Sequence, residues 1–266
     1  MTQRRLVWFS CGAASAVLAK RAVERYGDGC EVVYCDTMAS EHADNARFFA
    51  DVERWIGRQI RRIRSEKFAT VDEVFEQTRY MSGQKGARCT FEMKKLPREA
   101  MERPDDIHLF GYTSDAQKRA DNFEDRNPAL HVEWLLIDEG VRKADCYAQV
   151  EAAGIVLPAM YWLGFDHNNC PGCVKATSPS YWNAVREHFP DVFARRAAQS
   201  SLLNVRLARV SRALGETIPT ALAERRKGKI VSYRVHLAAL PPEATGPRED
   251  IECGPVCQAP EEDVDV

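Results

Sequence analysis

Cys170-Pro-Gly-Cys173 sets two thiols across a tight turn. That spacing suits two sulfurs that share a metal ion or cluster, or that form a redox disulfide. Asn168 and Asn169 before the pair and Lys175 after it bring hydrogen-bond donors and positive charge, which favour thiolates. Zinc usually takes two further Cys or His ligands. Cys89, in a glycine-bearing loop beside Lys85 and Arg88, is the natural third ligand. His167 could be a fourth, although a histidine in a loop is more often simply solvated. A second pair, Cys253 and Cys257, falls in a stretch rich in Pro, Glu and Asp. A thiol on a swinging tail suits a nucleophile that reaches a site, reacts and is then exposed to a reductant. An ordinary solvated tail is the plainer reading of the same stretch.

The second chemical signal is the run of small residues Ser10-Cys-Gly-Ala-Ala-Ser15. It follows an apolar run, Leu6 to Phe9, and precedes good helix formers, Ala16 to Arg25. A strand, a small-residue loop and a helix together present backbone N–H groups to a phosphate. Neither a Walker loop nor a GxGxxG fingerprint is present, so an ordinary βα turn fits equally well.

The elements that must position these groups read as an alternation. Strands are expected at Cys30–Asp36, Gln59–Ile63, Ile107–Thr113 and Val132–Ile137. Helices are expected between them, up to Ile56, over Val71–Arg79, Phe91–Met101 and Ser114–Asn122, and then over Lys143–Ala153. Such alternation predicts an α/β domain over residues 1–176, with a parallel five-stranded sheet covered on both faces. Asp36 and Thr37 end the second strand, where ligands of open sheets are met. Cys30 and Cys35 read as core thiols and Cys146 as a helix-face packing residue. Residues 177–240 read as a helical appendage broken near Pro190, and 241–266 as a mobile tail.

Composition excludes little. The 37 basic and 39 acidic residues give a net charge of −2, so no global charge argues for nucleic acid, though a local patch could still serve one. No apolar run approaches membrane-spanning length and no signal-peptide core follows the N-terminal arginines. The expectation is a soluble, cytoplasmic protein whose cysteines serve metal or catalysis rather than a disulfide framework.

Taken in order, these segments resemble the phosphoadenylyl-sulfate reductase family of the adenine nucleotide alpha-hydrolase-like (PP-loop) fold. Residues 9–17 resemble its Ser-x-Gly-x-x-Ser/Ala phosphate loop, and Asp36-Thr37 with Glu41 its Asp-Thr-Gly…Glu segment. Arg88-Cys89 through Lys94 to Pro97 resembles its Cys…Lys…Pro segment. The stretch from Gly111 through Thr113 to Lys118-Arg119 stands where the family has a glycine, a small polar stretch and a basic residue. Cys170 and Cys173 follow in the order of the iron–sulfur members, and Glu252-Cys253-Gly254 resembles the C-terminal catalytic segment. Three departures stand out. Cys89 is single where the iron–sulfur members have a pair, Ala14 replaces the Asp of ATP pyrophosphatases, and Pro255-Val256-Cys257 replaces an aliphatic residue and His.

The resemblance implies thiol-dependent reduction of an adenylylated sulfate, with or without a 3′-phosphate, to sulfite. Ser10, Cys11, Gly12, Ala13 and Ser15 would hold a phosphate, with Asp36, Thr37, Gly111 and Thr113 around the nucleotide. Lys94, Lys118 and Arg119 would neutralise the anion, Cys253 would attack, and Cys257 or a thioredoxin-like partner would resolve. Cys89, Cys170 and Cys173 would hold a 4Fe-4S cluster, or zinc. Two alternatives stand beside it. One is an ATP-dependent sulfur transferase acting on tRNA or DNA; the other is a non-catalytic, zinc-stabilised nucleotide-binding protein.

Overall fold

The computed structural model describes residues 3–83, 86–211, 223–226, 229–247 and 251. In chain order its first elements are β1 (Arg5–Phe9), α1 (Ala13–Tyr26), β2 (Cys30–Cys35), α2 (Asn45–Ile56), β3 (Arg61–Ile63) and α3 (Val71–Thr78). A two-residue hairpin, β4 (Ser82–Gly83) and β5 (Gly86–Ala87), leads to α4 (Arg88–Thr90), a π turn at Phe91–Lys95 and α5 (Leu96–Met101). Then come β6 (Ile107–Leu109), α6 (Gln117–Arg126), β7 (His131–Glu133), α7 (Leu135–Asp138), α8 (Lys143–Ala152) and α9 (Ala159–Trp162). The last are α10 (Pro179–His188), α11 (Pro190–Leu202), β8 (Ala208–Ser211), β9 (Ala223–Arg226) and β10 (Lys229–Val235).

The expected sheet is present: five strands, all parallel, in the order β3-β2-β1-β6-β7. Its two middle strands run apolar over Leu6–Phe9 and Val32–Cys35 because both faces are covered. Val7, Phe9, Val32 and Tyr34 pack under α1 and α2, while Leu6, Trp8, Val33 and Cys35 face Phe110, Tyr112 and Phe123. Cys30 and Cys146 are buried in the first of these cores, as read from the sequence. Among the described residues no helix is long and apolar enough to cross a membrane.

Four expectations are corrected. The fifth strand stops at Glu133, and Leu135 and Leu136 turn into a helix instead. Both are buried in the core that α1 covers, packed there from a single helical turn. The fourth strand ends at Leu109 rather than Thr113. The appendage is not wholly helical: helix ends at Leu202, and β8, β9 and β10 form an antiparallel sheet in the order β8-β10-β9. Ala208 and Val210 are buried while Arg209 and Ser211 are not, a strand's alternation missed behind a long helical run. Finally, residues 241–247 are tied down. Asn183 Nδ2 donates to the Ala244 carbonyl at 2.8 Å, and the Gly246 N–H donates to Ser180 Oγ at 2.9 Å. Pro190 does break the helical run, at the first position of α11.

A buried histidine on the second face yields a test. Trp8 Nε1 donates to His108 Nδ1 at 3.0 Å, so that nitrogen must be unprotonated. Burial, with Arg98 nearby, lowers the His108 pKa from 6.5 to about 4. The unfolded chain therefore takes up this proton first, and stability falls as pH drops from about 6.5 to about 4. Over that range wild type should lose about 3 kcal/mol more unfolding free energy than His108→Gln. Urea titrations at several pH values check this; parallel pH profiles would contradict it.

Candidate active site

β1 is the centre of the sheet, and the chain leaves it toward β2 on one side and returns as β6 on the other. Crevices for ligands form at such switch points, beyond the carboxyl ends of the strands. Here the crevice is a cleft of about 460 Å³, within the roughly 300–1,000 Å³ usual for small-molecule sites.

Its floor is the small-residue loop. α1 starts at Gly12 with no side-chain cap, so its first N–H groups need other partners. Ala13 N–H donates to Tyr161 Oη at 3.3 Å, and Ala14 and Ser15 line the cleft. Ser15 Oγ donates to the Gly12 carbonyl at 2.9 Å and accepts from Ser10 N–H at 3.1 Å, closing the loop on itself. Gly111 packs directly on it: a Cβ there would stand 3.0 Å from Ser15 N and 3.1 Å from Ser15 Cα. Cations border the cleft at Lys94, Arg119 and Lys143. Arg119 lies over the Tyr112 ring at 5.1 Å, and Lys143 Nζ donates to the Asp166 carbonyl at 2.7 Å.

Of the residues singled out by sequence, Ser10, Gly12, Ser15, Lys94, Gly111, Thr113 and Arg119 line this cleft. Cys11 and Ala13 lend the loop only backbone, their side chains being fully buried. Burial pushes the Cys11 thiol well above its ordinary range, so it stays neutral. Asp36 lies off the cleft lining and pairs with Arg62 and Arg64 at 3.7 and 3.4 Å. Lys118 is exposed on α6, also off the lining. Tyr34, Tyr147, Tyr161 and Lys143 belong to the cleft and were not singled out. They come from one strand and two helices, β2, α8 and α9, with no local motif around them.

Cys89, Cys170 and Cys173 meet at a second, smaller cavity with Thr37, Lys94 and Arg196. The turn that carries Cys170 and Cys173 is held by α10 and α11. Cys173 N–H donates to Tyr181 Oη at 2.7 Å, and the Gly172 carbonyl accepts from Arg196 Nε at 3.2 Å. Gly172 has a φ of +68°, and a Cβ would come within 2.8 Å of Val192. Arg196, buried in α11, also pairs with Asp72 of α3. Among the described residues no group of three or more His, Cys, Asp or Glu is placed to hold a metal ion. Three thiols on one wall are nevertheless the donor type of zinc and of iron–sulfur clusters. The free space of about 20 Å³ holds one water-sized particle. By donor type the three cysteines suit such a group, but as they stand they do not form its site, and the cavity is too small for a cluster. His167 lines the cleft rather than this cavity.

Lys94 and Cys170 line both spaces, so the two sites share a wall. Cys253 and Cys257 lie outside the described residues. Ile251 is described: it lines the cleft, and its carbonyl accepts from Asn169 Nδ2 at 3.0 Å.

The chain matches no family model and no curated protein.

Because Gly111 touches backbone rather than flexible side chain, Gly111→Ala must displace the loop. It should lower stability by about 1–3 kcal/mol and weaken AMP binding, measured by urea unfolding and titration calorimetry. Unchanged AMP affinity would separate the loop from ligand binding.

Proposed function

We propose that the protein is a thiol-dependent reductase of an adenylylated sulfate. The observation that carries this reading is Ile251. It lines the same cleft as the small-residue loop, Lys94 and Arg119. Cys253 follows two residues later, an extended reach of about 7 Å. A nucleophile, an anion-holding loop and cations are the three parts such a transfer needs.

In this reading the N–H groups at the start of α1 hold a phosphate and Lys94 and Arg119 offset the charge of the phosphosulfate. The Cys253 thiolate attacks the sulfonate sulfur. A sulfur–sulfur bond forms, the bridging sulfur–oxygen bond breaks, and the nucleotide leaves on its phosphate oxygen with the electron pair. A second thiolate, from Cys257 or a thioredoxin-like dithiol, then attacks the Cys253 sulfur. Sulfite departs and a disulfide remains, so two thiols supply the two electrons. The dithiol reductant restores the enzyme. Cys89, Cys170 and Cys173 would hold a thiolate-bound metal beside this cleft, zinc or an iron–sulfur cluster, adding fixed charge at its wall.

The wall shared through Cys170 favours a second reading, an ATP-dependent sulfur transferase acting on nucleic acid. Sulfur held among the three cysteines would stand next to an adenylylated acceptor, and AMP and pyrophosphate would be products. ATP–pyrophosphate exchange separates the two: the reductase shows none.

Cys253→Ser should lower sulfite release from adenosine 5′-phosphosulfate roughly 10³-fold or more while leaving AMP affinity within about twofold, since the thiol meets sulfur and not the nucleoside. Retained turnover would remove Cys253 from the reaction.

A further inference from the structure

Cys11 has a backbone φ of +55°. Residues with a Cβ adopt this left-handed region at a cost that glycine escapes. The Cys11 side chain is fully buried, and its carbonyl accepts a hydrogen bond of 2.7 Å from Asn168 Nδ2. The same nitrogen donates to Asn45 Oδ1 at 2.8 Å, and Asn45 Nδ2 donates to Glu41 Oε2 at 2.6 Å. Thr37 Oγ1 donates to the other Glu41 oxygen at 2.5 Å.

The two ends of this series fix every orientation within it. A peptide carbonyl and a carboxylate only accept, so each amide must turn its NH₂ toward them. Asn45 and Asn168 are 1% and 6% exposed, which leaves little water to replace a lost bond. Asn168 Oδ1 is sealed off with no hydrogen-bond partner. Flipping the amide to find it one would set that oxygen against two acceptor oxygens, so the geometry is locked with Nδ2 on Cys11.

We propose that Asn168 is the positioning residue of the anion loop. Its two bonds from Nδ2 hold the Cys11 carbonyl in the left-handed turn, and that turn aims the start of α1 at the cleft. Asn168 lies two residues before Cys170, so the same bond fastens the cysteine turn to the loop. The ligand side of this inference rests on the reading of the cleft as a nucleotide site.

Glycine supplies the test, because it takes the left-handed turn without help. AMP affinity is measured by titration calorimetry for wild type, Asn168→Ala, Cys11→Gly and the double variant. Asn168→Ala should cost at least about tenfold in the wild-type background and less than about threefold in the Cys11→Gly background. A merely structural loss at Asn168 would be the same in both, and equal losses overturn the proposal. Urea unfolding of the same four proteins gives the cycle without ligand, and the midpoint should fall less on Asn168→Ala when residue 11 is glycine. If AMP binds none of the four, the nucleotide reading falls. The urea cycle then decides on Asn168 alone, with coupling supporting it and additivity overturning it.

Discussion

The start of α1 is the constraint on which the other parts depend. A helix that begins at the end of the central strand, with no side-chain cap, leaves backbone donors facing whatever fills the crevice. Keeping them open requires small residues on every side. Gly12 stands close to Tyr161, Gly111 touches Ser15, and Cys11 accepts a backbone conformation that a residue with a side chain normally avoids. The flanking elements follow from this. β6 has to end early so that Gly111 can approach, and Asn168, braced by Asn45, has to reach the Cys11 carbonyl.

The second layer is the union of two separately built regions. The sheet domain has its own cores on the two faces of β1 and β2. The cysteine turn belongs to another core, built from α3, α10, α11 and the antiparallel sheet, in which Trp182 and Val185 are buried. Arg196 joins the parts of that core, pairing with Asp72 while holding the Gly172 carbonyl. The regions meet at Lys94 and Cys170, which face both the cleft and the cysteine cavity. A charge held in either space would therefore act on the other through these two side chains.

Much of this was legible in the residues. The apolar runs gave the five parallel strands, and the small-residue loop, Lys94, Gly111 and Arg119 all reach one cleft. The spacing of Cys170 and Cys173, with Cys89 far upstream, pointed to a shared location, and the three do line one cavity. What could not be read was tertiary. Asp36 sits at a strand end as expected, but two arginines of the β3 region take its carboxylate. Tyr161 and Asn168 act through the backbone of residues some 150 positions earlier, and no local pattern announces such a partner. The antiparallel sheet was hidden because β8 is only four residues long and follows two helices.

The most direct test of the account is to trap the sulfur. The protein is mixed with adenosine 5′-phosphosulfate in the absence of any dithiol, quenched, and its cysteine peptides are read by mass spectrometry. The account predicts a sulfonate on Cys253 that is released as sulfite when a thioredoxin-like dithiol is added. Nucleotide cleavage with Cys253 unmodified, or sulfur added to Cys170 or Cys173 instead, would contradict it.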